Sequence, residues 1–506
     1  MNFTARKWLL MLLTGAFITV VIYSCKHERA VNNVVTNESN FPDNIATIFV
    51  NRCATAGCHN AASFRNAAGL RLDTWDKLFD GSSHGAVVIP YDIDNSSLLY
   101  YINTDSSLGI VANPRMPYVN GDPHNDAPLT KEEYLTVRDW VAAGAPDKAG
   151  NIPFASNPDT RQKIYLTQQG CDLLSVIDAE RKVIMRNIRI GKIDGLTESP
   201  HCVRVSKDGA YAYVCFYEGL YAQKIDTRTD QIVGEVKLSE SSDGAQWNVL
   251  HLSDDGKHMM ISDLLKGGLK IVNTTTMTVD FNFGTGTFVQ PHGIESNVAF
   301  DTFYVTAQKG NIVYKITKTS SPKSVSIDGQ PTNLSNVGPN PHEIMMTPDH
   351  SKYFLTCENS NEVRVMDAHG DTLIKNFPGL PTKPQELTMS KVQPYMFATC
   401  MEADGPTGSN TRGAVVVINY NTLEIVKIFY GDFYQPHGIT VDDERGLFYI
   451  ASANISATGP APHHVSECAG RNGWYSVYDL NTLAPVNNIR YETAVAPYSA
   501  DTRFKK

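Results

Sequence analysis

Short apolar runs recur along the second part of the chain at intervals of roughly 45 residues, as in propeller blades. Seven related phrases open the units, and six of them begin with proline: Pro200-His201, Gln246-Trp247, Pro291-His292, Pro341-His342, Pro384-Gln385, Pro436-His437 and Pro497-Tyr498. Apolar runs such as 212–215 and 353–356 follow, with Asp-Gly and Asn-Thr turns between the runs. Several short strands per repeat predict four-stranded blades of a β-propeller.

The two ends of this repeat region complement each other. Residues 163–167 and 174–178 have the pattern of outer strands in a blade that lacks its first strand, whereas 497–504 has the pattern of a first strand alone. Joined, they complete a blade and leave no open sheet edge. We therefore predict an all-β propeller of seven blades over residues 161–506, with eight blades as the alternative.

The region before the repeats has helical periodicity. Residues 45–50 have helical spacing, and the closing segment 129–146 is predicted to contain a second helix in which Tyr134, Val137, Trp140 and Val141 recur at helical spacing. Thr130, with Glu133 three residues later, predicts a capping box at its start. The chain is therefore predicted to be multidomain, with a small all-α domain over 41–149, a linker over 150–160 and the propeller.

The first 24 residues are predicted to be a signal peptide. Arg6 and Lys7 precede an apolar run, 8–23, that is short for a membrane span. The run ends in Ile-Tyr-Ser-Cys25, which resembles a bacterial lipobox, in which the cysteine takes lipid. Tyr23 is bulkier than usual, so an uncleaved anchor or a simple secretory signal remains an alternative. Residues 25–40 are polar and are predicted to be a flexible tether.

Charge and cysteine content narrow the possible partners. The net charge of −9 provides no basic surface for phosphates, which argues against nucleic acid as a partner. Of nine cysteines, six lie outside the N-terminal 60 residues and form no CxxC pair. Among these, Cys215, Cys357 and Cys400 lie in strand-like runs and are predicted to be buried side chains.

The segment from Cys53 to Cys58-His59 carries the main candidate chemistry. Haem attachment usually reads CxxCH, with two thioethers and an iron-binding histidine. Here four residues separate the cysteines, and Gly57 makes the wider loop sterically easy. A Cys53–Cys58 disulfide is an alternative, but it leaves His59 without a role. A zinc site would need further ligands, for which His84 and His124 are the candidates.

The order of segments in this domain resembles the small cytochrome c domains of exported proteins from Planctomycetes and Bacteroidetes. The shared features are Cys58-His59, the Leu-Arg-Leu-Asp of 70–73, Arg115-Met116-Pro117 and the terminal Trp140-x-x-x-Gly-Ala. The resemblance implies one haem c, covalently bound to Cys53 and Cys58. It also implies His59 and Met116 as axial iron ligands, and such a thioether ligand raises the reduction potential.

The repeat region resembles the YVTN-type β-propellers, in which the first strand of each blade lines the channel. His201, His292, His342 and His437 would then meet at one mouth, with Trp247, Gln385 and Tyr498 completing the ring. Four imidazoles could bind a metal or flank a redox ligand. Alternatively, each histidine simply bonds the backbone of a neighbouring blade. His463, His464 and Cys468 lie in a long insertion, 453–472, that could overhang this mouth.

These features favour an electron-transfer protein. We expect a c-type cytochrome, lipid-anchored in the cell envelope, that exchanges electrons with a redox partner protein and uses the propeller to dock a partner or ligand. One alternative is a periplasmic redox enzyme with a second metal or haem centre in the channel, similar in layout to nitrite reductases that hold a non-covalent haem there. Another is a non-catalytic interaction module. The sequence assigns no catalytic residue, and no hydrolase motif is present.

Overall fold

The computed structural model describes residues 38–117, 128–155, 159–193, 195–241, 243–405, 411–453, 468 and 473–503. The predicted signal peptide, the lipidation residue Cys25, and the histidines at 124, 463 and 464 lie outside these ranges. Within the described ranges, none of the helices combines the length and apolar character needed to cross a bilayer. Residues 39–506 form one compact unit.

The first domain is helical, as predicted. Its helices are α1 (Asp43–Ile48), α2 (Trp75–Leu78), α3 (Ser97–Ile102) and α4 (Lys131–Ala142), with a π-helical turn at Phe49–Cys53 and 3-10 turns at Phe64–Asn66 and Ser106–Leu108. The predicted capping box is present, because the Thr130 side chain accepts from the Glu133 amide and the Glu133 carboxylate accepts from the Thr130 amide. Phe41, Phe49 and Trp140 meet edge to face in the core.

Seven antiparallel sheets form the second domain, which confirms the predicted seven-bladed propeller. Blades 1 to 3 comprise β4 (Pro200–Val205), β5 (Tyr211–Phe216), β6 (Tyr221–Asp226), β7 (Gln231–Lys237); β8 (Trp247–Leu252), β9 (His258–Asp263), β10 (Gly268–Asn273), β11 (Thr278–Asn282); and β12 (Pro291–Ser296), β13 (Thr302–Ala307), β14 (Ile312–Thr317), β15 (Lys323–Ser326). Blades 4 to 6 comprise β16 (Pro341–Met346), β17 (Lys352–Cys357), β18 (Glu362–Asp367), β19 (Leu373–Phe377); β20 (Pro384–Met389), β21 (Tyr395–Asp404), β22 (Arg412–Asn419), β23 (Glu424–Phe429); and β24 (Pro436–Asp442), β25 (Leu447–Ser452), β26 (Gly473–Asp479), β27 (Ala484–Pro485), β28 (Tyr491–Thr493).

Blade 7 joins the two ends of the repeat region. Its strands are β29 (Pro497–Arg503), β1 (Lys163–Gln168), β2 (Leu173–Asp178) and β3 (Val183–Arg189), and β29 pairs antiparallel with β1. The first strands of the blades contact one another in the order β29, β4, β8, β12, β16, β20, β24 and back to β29. They therefore line one central channel.

Apolar side chains fill the space between neighbouring blades, where each sheet packs on the next. Cys215, Cys357 and Cys400 lie in these layers and are fully buried, as predicted. The layer between blades 6 and 7 also contains Ala86 and Ile89 of the helical domain. The helical domain is therefore packed against the propeller through a shared apolar core.

Candidate functional site

The Cys53–His59 segment follows directly from the first helix. Cys53 ends the π-helical turn and is buried, and the backbone then turns back on itself. The Cys58 amide donates to the Thr55 carbonyl at 3.0 Å, and the His59 amide donates to the Cys53 carbonyl at 3.1 Å. Gly57 has a φ of +84°, which glycine adopts without strain. The four-residue spacer thus forms a closed loop, and both thiols are free.

His59 is oriented by a backbone hydrogen bond. Its Nδ1 lies 3.3 Å from the carbonyl oxygen of Leu70. Because a carbonyl only accepts, Nδ1 carries the proton and Nε2 presents its lone pair. Burial lowers the pKa of His59, against the effect of the backbone hydrogen bond. The imidazole is therefore held in the neutral form that binds metals, with its orientation fixed from behind.

Met116 borders the same apolar core as Cys53. The Met116 side chain is partly buried and packs against the core cluster that contains Cys53, Phe49 and Trp140. Its amide donates to the Tyr101 carbonyl at 2.8 Å, which attaches the loop to the end of α3. Cys53 and Met116 therefore border one apolar core, and together with the free thiol of Cys58 and the oriented imidazole of His59 they are the residue types that a haem c requires.

The zinc alternative has little support in the geometry. His84, one of its two candidate ligands, lies 3.1 Å from Glu492 of blade 6, measured from Nδ1 to Oε1. The other candidate, His124, is outside the described residues. In the described part of the chain, no group of three potential metal ligands includes Cys53, Cys58 or His59.

The four channel histidines do converge. Each histidine is the second residue in the first strand of its blade. Together with Tyr498, the second residue of β29, the four histidines form a ring of aromatic contacts. The His292 and His342 ring centroids lie 3.8 Å apart, and His437 stacks on Tyr498 at 3.7 Å. His201 lies 4.5 Å from Tyr498 and 6.2 Å from His292. Gln385 occupies the same position in β20.

Trp247 is not part of this ring, contrary to the prediction. Trp247 is the first residue of β8 and pairs with Asp263 of β9. Pro291 is the first residue of β12 and pairs in the same way with Ala307 of β13. Trp247 therefore occupies the position that proline holds in the other repeats. Its side chain packs between blades 1 and 2. Asn248 takes the ring position instead. The prediction was wrong because the phrase in this repeat lacks proline, which shifted the alignment by one residue.

The ring histidines differ in their partners. His201 Nδ1 lies 2.8 Å from the Asn248 carbonyl, and His437 Nδ1 lies 3.1 Å from the Tyr498 carbonyl. Both carbonyls belong to neighbouring blades, so these two histidines follow the structural alternative. Nδ1 of His292 and Nδ1 of His342 are buried and have no hydrogen-bond partner within the described residues.

A second layer of charged groups lies beneath the ring, and sequence reasoning missed it. The Glu343 carboxylate is 3.7 Å from His292 Nδ1, and the Glu386 carboxylate is 3.7 Å from His437 Nδ1 and 3.2 Å from the Arg204 guanidinium. One signal was available in the sequence. The third residue of the phrase is Glu in repeats 4 and 5, whereas repeats 3 and 6 have Gly.

Burial dominates the electrostatics of this layer. It raises the pKa of Glu386 to about 8, with the Glu343 carboxylate adding to the effect and Arg204 opposing it. Burial also lowers the pKa of His437 to about 3 and holds the pKa values of His201 and His342 well below the ordinary value. These three imidazoles are therefore neutral at pH 7.

Fold and site together define a cytochrome c domain followed by a seven-bladed β-propeller. Residues 56–117 match the family model of Planctomycete cytochrome C, which implies haem c. The match contains Cys58, His59 and Met116 but begins after Cys53. The role of Cys53 therefore depends on features of this chain alone.

No curated protein matches the chain in sequence. Among solved structures, hydrazine synthase of Kuenenia stuttgartiensis is similar with 16% identity and a TM-score of 0.42, over 51% of this chain and 77% of that one. A functionally unknown protein from Desulfotomaculum acetoxidans gives 14% identity and a TM-score of 0.48, over 66% and 99%. Dihydro-heme d1 dehydrogenase NirN, in complex with DHE, gives 11% identity and a TM-score of 0.45, over 90% and 98%.

Proposed function

We propose that this protein is an exported c-type cytochrome that transfers single electrons. The observation that carries the proposal is the hydrogen bond from His59 Nδ1 to the Leu70 carbonyl, which leaves Nε2 of a neutral imidazole as the nitrogen that can bind a metal. This geometry suits an axial iron ligand beside the two free thiols of Cys53 and Cys58. The matched cytochrome family supports the same cofactor.

Each residue has a separate role in this proposal. When haem c is bound, the thiols of Cys53 and Cys58 would hold the porphyrin covalently, and His59 and Met116 would bind the iron. The apolar core around Phe49 and Trp140 limits access of water. When bound, haem c supplies a one-electron couple whose potential the axial thioether raises.

The test is covalent retention of the chromophore. We expect the protein from a host that attaches haem c to keep its haem through acid-acetone extraction, and to be reduced and reoxidised reversibly. The double variant Cys53→Ala/Cys58→Ala should release all haem, whereas the matched double variant Cys357→Ala/Cys400→Ala in the propeller should keep it. Colourless mature protein with Cys53 and Cys58 bonded to each other would exclude the proposal.

We also propose that the protein is anchored by lipid on Cys25 in the cell envelope and exchanges electrons with a redox partner protein. The support is the basic and apolar run that precedes Cys25 and the polar segment that follows it. Cys25→Ser should move the protein from the membrane fraction to the soluble fraction of the envelope, with unchanged haem absorbance. Equal membrane association of the variant and the natural chain would argue against the lipid anchor.

A redox enzyme is the second candidate function. The buried carboxyls and unpaired imidazoles of the channel favour it, because such groups cluster at functional sites more often than in structural cores. In that case the cytochrome domain would deliver electrons to, or remove them from, chemistry in the propeller. A purely structural interaction module would not require these groups.

A further inference from the structure

We infer that His292, His342 and Glu343 form a binding site for one divalent transition-metal ion in the propeller channel. One ligand atom from each residue can be chosen such that all three lie within 4.8 Å of one another. His292 Nδ1 and Glu343 Oε2 are 3.7 Å apart, too far for a hydrogen bond and close to the spacing of two ligands on one ion. The site does not involve the haem residues, so it stands independently of the proposed function.

The unpaired atoms give the first argument. His292 Nδ1, His342 Nδ1 and Glu343 Oε2 are all buried without a hydrogen-bond partner among the described residues. An unsatisfied buried polar atom costs roughly 1–3 kcal/mol, so three of them on the two neighbouring strands β12 and β16 are unusual in a stable fold. A cation bound by one atom from each residue would give these side chains a partner.

The backbone around the site gives the second argument, because it brings the two histidines together. A Cβ at Gly293 would lie 2.9 Å from the His342 carbonyl oxygen and 2.8 Å from the Ile344 amide nitrogen. Only glycine therefore allows β12 and β16 to approach this closely at the level of the histidines. The close approach places the His292 and His342 rings 3.8 Å apart, centroid to centroid.

Hydroxyl groups of the next strands fix the same backbone. The Thr306 hydroxyl donates to the His342 carbonyl at 2.7 Å, and the Ser262 hydroxyl donates to the His292 carbonyl at 3.1 Å. The Glu343 amide donates to the Thr356 hydroxyl oxygen at 3.0 Å. His292 Nδ1, His342 Nδ1 and Glu343 Oε2 are thus left unpaired, whereas the carbonyls of both histidines and the Glu343 amide are hydrogen-bonded. This arrangement is that of a prepared ligand set rather than of loose packing.

The donor types indicate which ions fit. Two imidazoles and one carboxylate suit Zn²⁺ or Fe²⁺, and they leave at least one coordination position open. An open position facing the channel would allow a water molecule or a small anion to bind the ion.

Zinc uptake by the full chain tests the inference. Metal-depleted protein is titrated calorimetrically with Zn²⁺, and bound zinc is counted by elemental analysis, which separates it from haem iron. We expect one Zn²⁺ per chain and a higher melting temperature with zinc. His342→Asn and Glu343→Gln should each weaken binding by more than about tenfold. The matched variant His201→Asn, in the same ring but bonded to the Asn248 carbonyl, should bind as the natural chain does.

Haem absorbance and circular dichroism verify that each variant folds. If both site variants fold and still bind zinc like the natural chain, the inference is wrong. It is equally wrong if the natural chain binds no zinc, whatever its haem content. Loss of haem with intact zinc binding would contradict only the proposed function.

Discussion

The backbone carbonyl of His84 in the cytochrome domain accepts a hydrogen bond from the Glu492 amide of blade 6 at 3.0 Å. Ion pairs surround this contact, with Arg181 of the propeller 2.5 Å from Asp76 and Arg189 2.7 Å from Asp94. Phe154, within the predicted linker, packs against the cores of both domains. These contacts hold the cytochrome domain in a fixed position relative to the propeller.

Gly85 controls this contact sterically. A Cβ at Gly85 would lie 3.2 Å from the Tyr491 Cα atom, on the strand that carries Glu492. We expect Gly85→Ala to push the domains apart and to lower the exchange protection of the Glu492 amide by roughly tenfold, because opening at this contact becomes easier. Hydrogen–deuterium exchange measures this directly.

The control for this prediction is Gly150→Ala. Gly150 has the same φ of +88°, so alanine there meets the same backbone strain, but no atom lies within 4 Å of its Cβ position. Protection of the Glu492 amide should be unchanged in this variant. Equal loss in both variants would show that strain, and not close packing, is responsible.

Lys163 ties the closing blade to blade 1. Its side chain is fully buried, and Nζ contacts Asp159 at 2.5 Å, Asp230 at 2.8 Å and the Thr227 carbonyl at 2.8 Å. Lys163→Met should reduce the free energy of unfolding by about 3–5 kcal/mol, because it removes the cation that lies 2.8 Å from the buried Asp230 carboxylate. Urea denaturation followed by circular dichroism gives the value.

Lys207→Met is the matched control, since Lys207 is half exposed and, among the described residues, its ion-pair partner is Asp254 at the surface. Its effect should stay below about 1 kcal/mol. Adding Asp230→Asn to Lys163→Met should recover part of the loss. If the double variant is no more stable than the single one, the uncompensated charge is not the cause.

Local patterns predicted the fold well. The repeated phrases around Pro341 and Pro436 identified the blades, and the pattern of 497–504 predicted the pairing of β29 with β1. Thr130 and Glu133 predicted the capping box because both partners lie within one turn of the chain.

The contents of the channel were harder to predict. Predicting which residues form the ring requires the repeats to be aligned without an error of even one residue, and the alignment was wrong at Trp247. The partners of His201 and His437 are backbone atoms of other blades. Sequence spacing does not show which imidazole finds a carbonyl and which remains unpaired. The docking of Asp76 and Asp94 on Arg181 and Arg189 is likewise a property of surface geometry.

The two thiols should differ in how far they can be replaced. Cys58 lies next to His59 and within the family match, whereas Cys53 lies before the match, at the end of the π-helical turn. We expect Cys53→Ala to retain covalent haem through Cys58, with its absorption shifted to longer wavelength because one vinyl group stays conjugated. Cys58→Ala should yield less haem protein, since His59, the proposed iron ligand, is then further along the chain from the attachment point. Pyridine haemochrome spectra and intact-mass measurement distinguish the cases, and identical yields from both variants would contradict this asymmetry.

Glu133 couples the haem loop to the terminal helix. Its carboxylate accepts from the Thr130 amide at 2.7 Å and forms an ion pair with Arg52, the residue before Cys53. Burial alone would raise the pKa of Glu133, but the hydrogen bonds from Arg52 and Thr130 outweigh it and leave the pKa below its ordinary value of 4.5.

The carboxylate therefore stabilises the fold above pH 4.5, and this contribution is lost as the pH falls through the lowered pKa. Glu133→Gln keeps an acceptor for the capping box but loses the ion pair with Arg52, so it should cost about 0.5–1 kcal/mol at pH 7, and the difference from the natural chain should shrink below pH 4. The exposed neighbour Glu132 provides the control, because Glu132→Gln should change stability little at either pH. Thermal unfolding of the three proteins at pH 7 and at pH 3.5 measures both effects, and a Glu133→Gln penalty that is equal at the two pH values would show that the charge of Glu133 contributes nothing.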